Sequence, residues 1–189
     1  MARTRSFDEG QVLGAAMNAF RREGFGSVSI KALEAATGLT SGSIYNAYGD
    51  KDGLYRAAFD HYIDTVIRRR LETYAGEAAG LDGLEQLFLS LLDSLEANDP
   101  GCLLTNAAVE FGARPSVASD GVGLGFALLE QGMRRVLEQE IAGDRVDLVL
   151  ARLLILYQGI LVMIRAGRDV SACVAVVQAE FQQLREARS

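Results

Sequence analysis

The apolar residues of this chain recur at steps of three and four, which is the spacing of one face of an α-helix. Near the N-terminus, for example, Val12, Ala16, Ala19 and Phe20 follow this pattern. No stretch alternates apolar and polar residues for long enough to predict a strand, and only two prolines interrupt 189 residues. The sequence therefore predicts an all-α fold of about nine helices.

Glycines, prolines and capping residues set the predicted helix limits. We predict helices over about 8–22, 30–37, 41–47, 51–75, 82–97, 102–112, 120–142, 145–166 and 171–186. The longer connections fall around Gly76–Leu81, Asn98–Gly101 and Arg114-Pro115.

The charge is unevenly distributed along the chain. The formal net charge is −6, yet residues 1–56, which include Arg3 and Arg5, sum to +1 and the remainder to −7. An acidic body with a slightly basic head allows one end of the molecule to approach phosphate.

The longest apolar run, Leu153 to Ile164, has about twelve residues against the roughly twenty that span a bilayer. We interpret it as a buried helix and expect no membrane association. The N-terminus lacks a signal-peptide core, and the two cysteines, Cys102 and Cys173, do not form a disulfide framework. These features favour a cytoplasmic protein.

Residues 30–47 have the pattern of a helix-turn-helix. Ile30–Thr37 is the first helix, Gly38-Leu39 the turn and Ser41–Ala47 the second helix. Thr40-Ser41-Gly42-Ser43 offers small hydroxyls and backbone N–H groups, which suit phosphate and base edges. Taken alone, the pattern is also typical of helical hairpins in enzymes.

The stretch GFGSVSIKALEAATGLTSGSIYNAYGDKDGLYRAAFDHY resembles the DNA-binding segment of TetR-family (TetR/AcrR type) transcriptional regulators. The matching positions are Gly24, Phe25, Ser29, Ile30, Ala36, Gly38, Gly42, Tyr45, Tyr48, Lys51 and Leu54. The resemblance implies a three-helix DNA-binding domain over residues 1–56 and a helical effector-binding and dimerisation domain over 57–189.

The resemblance also implies a set of DNA-contacting positions: Ser29, Lys31, Thr40, Ser41, Gly42, Ser43, Tyr45, Asn46, Tyr48 and Lys51. Alternatives remain for Ser29 as a simple N-cap, Tyr48 as a core residue and Lys51 as a solvated residue. Ser41 and Ala47 depart from the basic residue and the histidine that many relatives carry there.

In the family, the last two helices of each subunit form a four-helix dimer interface. The apolar residues of these helices that suit this role are Leu153, Leu156, Ile160, Met163, Val170, Val174, Val177, Phe181 and Leu184. The last five follow the 4-3-4-3 spacing of a helix pair. The alternative is a purely intrachain core.

The family's effector pocket lies among the middle helices. Polar candidates there are Tyr62, Cys102, Asn106, Glu110, Tyr157 and Gln158, and the mostly apolar surroundings suggest a small apolar effector. Cys102 is predicted in the first turn of a helix, where the helix dipole stabilises a thiolate. Its segment resembles that of family members that sense electrophiles or oxidants through a cysteine, although simple packing is the alternative.

The remaining motifs do not indicate a cofactor, metal or catalytic site. Gly121-Val-Gly123-Leu-Gly125 imitates a dinucleotide loop, but no strand precedes it. With His61 as the one histidine and no clustered acids or cysteines, we propose no metal site, cofactor or catalytic pair. We expect a homodimeric, non-enzymatic repressor that a small effector releases from a palindromic operator. The alternatives are an interaction module without specific DNA binding and a thiol-based sensor that uses Cys102.

Overall fold

The computed structural model describes residues 7–92 and 100–187. Its helices are α1 (Glu9–Glu23), α2 (Ile30–Thr37), α3 (Ser41–Tyr48), α4 (Lys51–Tyr62), α5 (Arg69–Tyr74), α6 (Leu81–Leu89), α7 (Leu103–Phe111), α8 (Ser119–Glu140), α9 (Val146–Arg165) and α10 (Ser171–Glu186). No strand occurs in the described residues. A π-helical segment joins α4 to α5 without a break, so this run counts as one helix and the described residues form nine. The all-α prediction is confirmed.

The chain forms two compact units. The first contains the described residues up to Thr65 together with Cys102–Leu124, and the second contains those of Val66–Gly101 and Gly125–Ser189. Helix α7 therefore clusters with the N-terminal helices, which no sequence pattern indicated. The functional division predicted at residue 56 stays a prediction.

Aromatic rings fill much of the core of the first unit. Tyr55 of α4 lies edge-on against Phe20 and Phe25, with ring centroids 4.8 and 5.0 Å apart, and also contacts Phe59 and Phe111. Such pairs add to the stabilisation that burial of the rings provides. These contacts bring α1, α4 and α7 together.

The π-helical segment, Ile63–Arg68, interrupts the regular α-helical geometry predicted over residues 51–75. Helical spacing predicts Leu54, Ala58, Tyr62, Val66 and Leu71 on one buried face. Four of these are buried as predicted, but Val66 is only half-buried and Ile63 and Ile67 are buried as well. A π-turn holds more residues than an α-turn, so the buried face shifts along the sequence. A search for 3.6-residue periodicity cannot anticipate that shift.

Helix α6 is shorter than predicted. It ends at Leu89, and residues 90–92 form turns with i to i−3 bonds, such as Leu91 N–H to Phe88 O at 3.0 Å. The Ser90 hydroxyl donates to the Leu87 carbonyl, and such local bonds compete with helical geometry. The predicted continuation to residue 97, with Leu95, lies outside the described residues.

In the second unit, Phe88 of α6 organises the core. Its ring lies 5.4 Å from that of Tyr157 on α9 and 5.5 Å from that of Phe181 on α10. Arg185 of α10 also pairs with Asp82 and Glu85 of α6. These contacts attach the last helix to α6 within the same chain.

The segment Gly143–Arg165 is long and apolar enough to cross a membrane by length and composition, with a mean hydropathy of 2.0. A third of its most apolar part is buried within the chain, so the run that we interpreted as a buried helix is buried only in part. Helices of soluble proteins meet the same criterion, so this finding does not define a membrane span.

The glycine run that imitates a dinucleotide loop lies in helix α8. A side chain at Gly121 would approach the Phe59 ring to 2.6 Å, so a glycine allows the helix to pack closely there. This contact explains the glycine at position 121, whereas a side chain at Gly123 would meet nothing within 4 Å.

Candidate nucleic-acid interface

Helices α2 and α3 form the predicted helix-turn-helix, and local capping defines their limits. The Ser29 hydroxyl accepts the Ala32 N–H at 3.0 Å, and the Thr40 hydroxyl accepts the Ser43 N–H at 3.2 Å. Gly38 ends α2 with φ of 71°, a left-handed conformation that favours glycine. The turn therefore follows directly from residue type.

The carboxylate of Glu34, which no sequence pattern indicated as a contact, links α2 to α3. The side chain of Glu34 on α2 accepts a hydrogen bond from the backbone N–H of Ser41, the first residue of α3. The Thr37 hydroxyl accepts the Leu39 N–H at 3.3 Å within the turn. With Ser41 and Ser43 N–H bonded inside the chain, Gly42 presents the remaining N–H of the first α3 turn to an external acceptor.

One face of α3 is open to solvent. Gly42, Tyr45 and Asn46 are exposed, and their i, i+3 and i+4 spacing places them on the same side of the helix. Ile44, on the opposite side, is fully buried. Tyr45 is 48% exposed. The face therefore offers a ring, a hydroxyl, an amide and a backbone N–H.

The other predicted DNA-contacting residues differ in their exposure and in their contacts within the chain. Lys31 is exposed on α2, whereas Ser29 is engaged as an N-cap. Tyr48 is half-buried with its hydroxyl oxygen inaccessible to solvent. The Lys51 ammonium lies 4.6 Å from the centre of the Phe25 ring, a cation–π contact that orients it. The assignment of these residues to DNA contact stays a prediction, and Arg3 and Arg5 lie outside the described residues.

The predicted effector residues separate into two groups. In the first unit, the Tyr62 hydroxyl donates to the Cys102 Sγ at 3.0 Å, and the Asn106 side chain donates to the Arg21 carbonyl at 3.2 Å. The Arg21 guanidinium lies 6.0 Å from the centre of the Tyr62 ring. Cys102 is the buried N-cap residue of α7, one position before the predicted first turn. Thiol sensing stays a prediction.

Glu110, the remaining candidate of the first unit, contacts the backbone of the α1–α2 loop. Its two carboxylate oxygens accept the N–H groups of Phe25, at 3.0 Å, and Gly26, at 2.7 Å. Burial and, to a smaller extent, the charge of Glu110 raise the pKa of the Tyr55 hydroxyl, which therefore stays protonated.

The two other effector candidates lie in the second unit, where Tyr157 packs on Phe88 and Gln158 is half-buried. That unit contains a cavity of about 780 Å³ lined in part by Glu72, Glu77, Asp82, Glu140 and Arg185, and a smaller one of about 380 Å³ near Arg135. The six predicted effector residues line neither cavity. The described residues contain no group of three or more His, Cys, Asp or Glu that could hold a metal.

The predicted dimer residues also separate into two groups. Leu153, Ile160, Val177, Phe181 and Leu184 are buried within the single chain, whereas Met163 and Val174 are exposed and Leu156 and Val170 are half-buried. The large apolar residues exposed on α9 and α10, which we call the α9–α10 face, are Leu148, Ile155, Val162, Met163, Val174 and Val176. Only Met163 and Val174 of these were predicted. Most residues of the 4-3-4-3 pattern of α10 thus pack within their own chain.

Together these features define a helix-turn-helix protein with an all-helical body. Residues 12–58 match the family described as bacterial regulatory proteins, tetR family. The resemblance to the TetR family that the sequence analysis found is confirmed over this N-terminal segment.

Two curated relatives are similar to part of the chain. The HTH-type transcriptional repressor ComR of Escherichia coli (strain K12) is 28% identical over 107 residues, 55% of this chain and 51% of the relative. An uncharacterized HTH-type transcriptional regulator of Bacillus subtilis (strain 168), YezE, is 25% identical over 114 residues, 58% of each chain. The matched part therefore spans only about half the length of these relatives.

Solved structures match the chain over nearly its whole length. A TetR-family regulator from Streptomyces coelicolor has a TM-score of 0.80 at 23% identity, covering 96% of this chain and 97% of that one. A cysteine mutant of the TetR-family regulator CifR, complexed with 26-bp double-strand operator DNA, has a TM-score of 0.77 at 23% identity, covering 96% and 98%. At this identity the likeness establishes the fold.

Proposed function

We propose that this chain is a DNA-binding transcriptional regulator that reads double-stranded operator DNA with helix α3. The observation that carries the proposal is the exposed set of Gly42, Tyr45 and Asn46 on one face of α3, above the buried Ile44. Asparagine amides can bond adenine edges, and tyrosine hydroxyls and backbone N–H groups can bond phosphate. The CifR complex with operator DNA supports this use of the fold.

We further propose that the active form is a homodimer formed through the α9–α10 face. One head carries few cations, so a single subunit offers few phosphate contacts. Two heads spaced to meet successive major grooves would bind a palindromic site cooperatively. An apolar set such as Ile155, Val162 and Met163, exposed on a long helix, is typical of a surface that another protein covers.

Repression and release by a small effector complete the proposal. They rest on the TetR-family match of residues 12–58 and on the word repressor in the name of ComR. Release follows if the effector binds preferentially to a conformation whose heads no longer fit two half-sites. The protein then acts in the cytoplasm, where its operator is, and needs no enzymatic activity.

The experiment is a fluorescence anisotropy titration with two duplexes of equal length, one from the region upstream of the protein's own gene and one of random sequence. A specific regulator binds the upstream duplex more tightly by a factor of roughly 10³ or more, and its affinity falls with salt. An interaction module that has lost DNA recognition binds both duplexes equally weakly, and that result would contradict the proposal.

A further inference from the structure

A carboxylate on α7 fixes the loop between α1 and α2. The two oxygens of Glu110 accept the N–H groups of two consecutive residues, Phe25 and Gly26, at 3.0 and 2.7 Å. Hydrogen bonds to a charged acceptor are stronger than neutral ones. The pair of bonds sets both the position and the orientation of the loop backbone at Phe25.

The loop sequence fits this contact. Gly24 has φ of 80°, and a side chain built there would meet a Glu110 oxygen at 3.1 Å. A side chain at Gly26 would meet the other oxygen at 3.3 Å. The two glycines on either side of Phe25 therefore let the carboxylate reach the backbone.

The Phe25 side chain is fixed in turn. Its ring packs against Tyr55, 5.0 Å between centroids, and against Phe111, 5.6 Å, which follows Glu110 on α7. The Lys51 ammonium lies 4.6 Å from the centre of the same ring. The Phe25 ring therefore contacts the ammonium of Lys51, the cation at the start of α4.

We propose that Glu110 is a positioning residue for Lys51: through the Phe25 backbone and ring it holds the lysine ammonium where α4 meets a DNA phosphate. This inference rests on the proposed function, because the phosphate is part of it. Glu110 does not touch the DNA itself. An ordered ammonium loses less conformational freedom when it binds a phosphate than a mobile one does.

Charge alone predicts the opposite effect, which makes the proposal testable. Glu110 carries a negative charge in the DNA-binding unit, so its neutralisation should strengthen DNA binding if electrostatic repulsion were its only influence. Under the proposal, Glu110→Gln weakens binding, because the amide group turns a donor toward one of the two loop N–H groups. The control is Glu23→Gln, which removes the same charge from an exposed residue at the end of α1.

The experiment measures the affinity of the full chain for a random-sequence duplex against salt concentration, for wild type, Lys51→Met, Glu110→Gln and the double variant. Affinity falls as salt rises, so the slope of log affinity against log salt is negative. We expect each single variant to make this slope less steep by about 1 per subunit, the effect of one lost phosphate contact. The double variant should change it no further. Glu23→Gln should leave the slope unchanged and bind as tightly as wild type or more tightly.

Amide hydrogen exchange keeps the test independent of overall stability. In Glu110→Gln, the amide protons of Phe25 and Gly26 should exchange with solvent faster than in wild type, while the protection of α2 and α3 stays unchanged. An unchanged slope, tighter binding by Glu110→Gln or additive effects in the double variant would overturn the role of Glu110 while leaving DNA binding intact. A wild-type chain that binds neither this duplex nor the upstream one would overturn the proposed function as well.

Discussion

At the scale of single residues, much of the DNA-binding unit is explained by side chains that bond nearby backbone. Asp8, Ser29, Thr40 and Asp50 each accept an N–H three residues ahead and begin a helix. Each such cap contributes about 1 kcal/mol to stability. Local spacing alone indicates Asp8, Ser29 and Asp50 as caps and leaves Thr40 and Ser41 as alternatives for α3, of which the structure uses Thr40.

Glu34 and Glu110 were not predictable in the same way. Their carboxylates bond backbone seven and about 85 residues away, and no local pattern specifies such a partner. Glu110 was instead predicted as an effector contact, because a polar residue on an apolar helix is all that the sequence reveals. The position of the Phe25 ring under Lys51 was missed for the same reason.

Asp60 provides a pH prediction. Burial first, and then the charges of Asp64 and Asp120, raise the pKa of its carboxyl above the ordinary 3.8. The folded state then binds the proton more tightly than the unfolded chain, so stability falls as pH rises through the interval above 3.8. We expect Asp60→Asn to raise the melting temperature at neutral pH, with the gain disappearing below about pH 4.

Thermal denaturation followed by circular dichroism at several pH values measures this effect. Asp144→Asn, at an exposed position of the second unit, should give no comparable gain. A destabilised Asp60→Asn protein at neutral pH would contradict the interpretation.

At the scale of helices, the sequence predicted most helical segments, but not their local irregularities or the elements against which they pack. Existence and approximate limits of α1, α2, α3, α7, α8, α9 and α10 follow from periodicity and capping. The π-helical segment and the early end of α6 do not, because Thr65 and Ser90 hydroxyls bond carbonyls of their own helix. Of the five residues that the 4-3-4-3 spacing of α10 indicates, Val177, Phe181 and Leu184 are buried and the other two are not. Spacing alone does not say whether the partner of this helix is α6 or another chain.

Two glycines provide a matched test at this scale. A side chain at Gly53 would overlap the carbonyl oxygen of Tyr48, which closes the junction of α3 and α4. A side chain at Gly14, within α1, would make only an ordinary 3.8 Å contact with the His61 ring. We expect Gly53→Ala to destabilise by about 3 kcal/mol or more, because backbone cannot move aside easily.

Gly14→Ala should instead stabilise by about 0.5–1 kcal/mol, since alanine is the better helix former. Urea denaturation with an unchanged m-value measures both changes. Equal effects of the two substitutions would show that the close approach at Gly53 is not a constraint.

At the scale of the whole molecule, the account depends on assembly. The α9–α10 face leaves Ile155 73% exposed in the single chain. In a dimer, a charged side chain there would be removed from water with no opposite charge beside it, which costs several kcal/mol. We therefore expect Ile155→Glu to be a folded monomer at micromolar concentration with strongly weakened DNA binding.

Sedimentation equilibrium measures this directly, and Val109→Glu, at an exposed apolar position on α7, is the matched control that should stay dimeric. A dimeric Ile155→Glu protein would show that the interface lies elsewhere. A monomeric wild-type chain would contradict the dimer proposal itself.

The central claim is that α3 reads DNA, and Tyr45→Ala tests it most directly, because this side chain is exposed and its removal leaves the core intact. The measurement is the ratio of affinities for the upstream and random duplexes, for wild type, Tyr45→Ala and Asn46→Ala, with the oligomeric state of each verified. We predict that Tyr45→Ala loses at least about tenfold in affinity for the upstream duplex and that Asn46→Ala lowers the ratio, as loss of a base contact should. Wild-type affinity and specificity in both variants, with the dimer intact, would contradict the account.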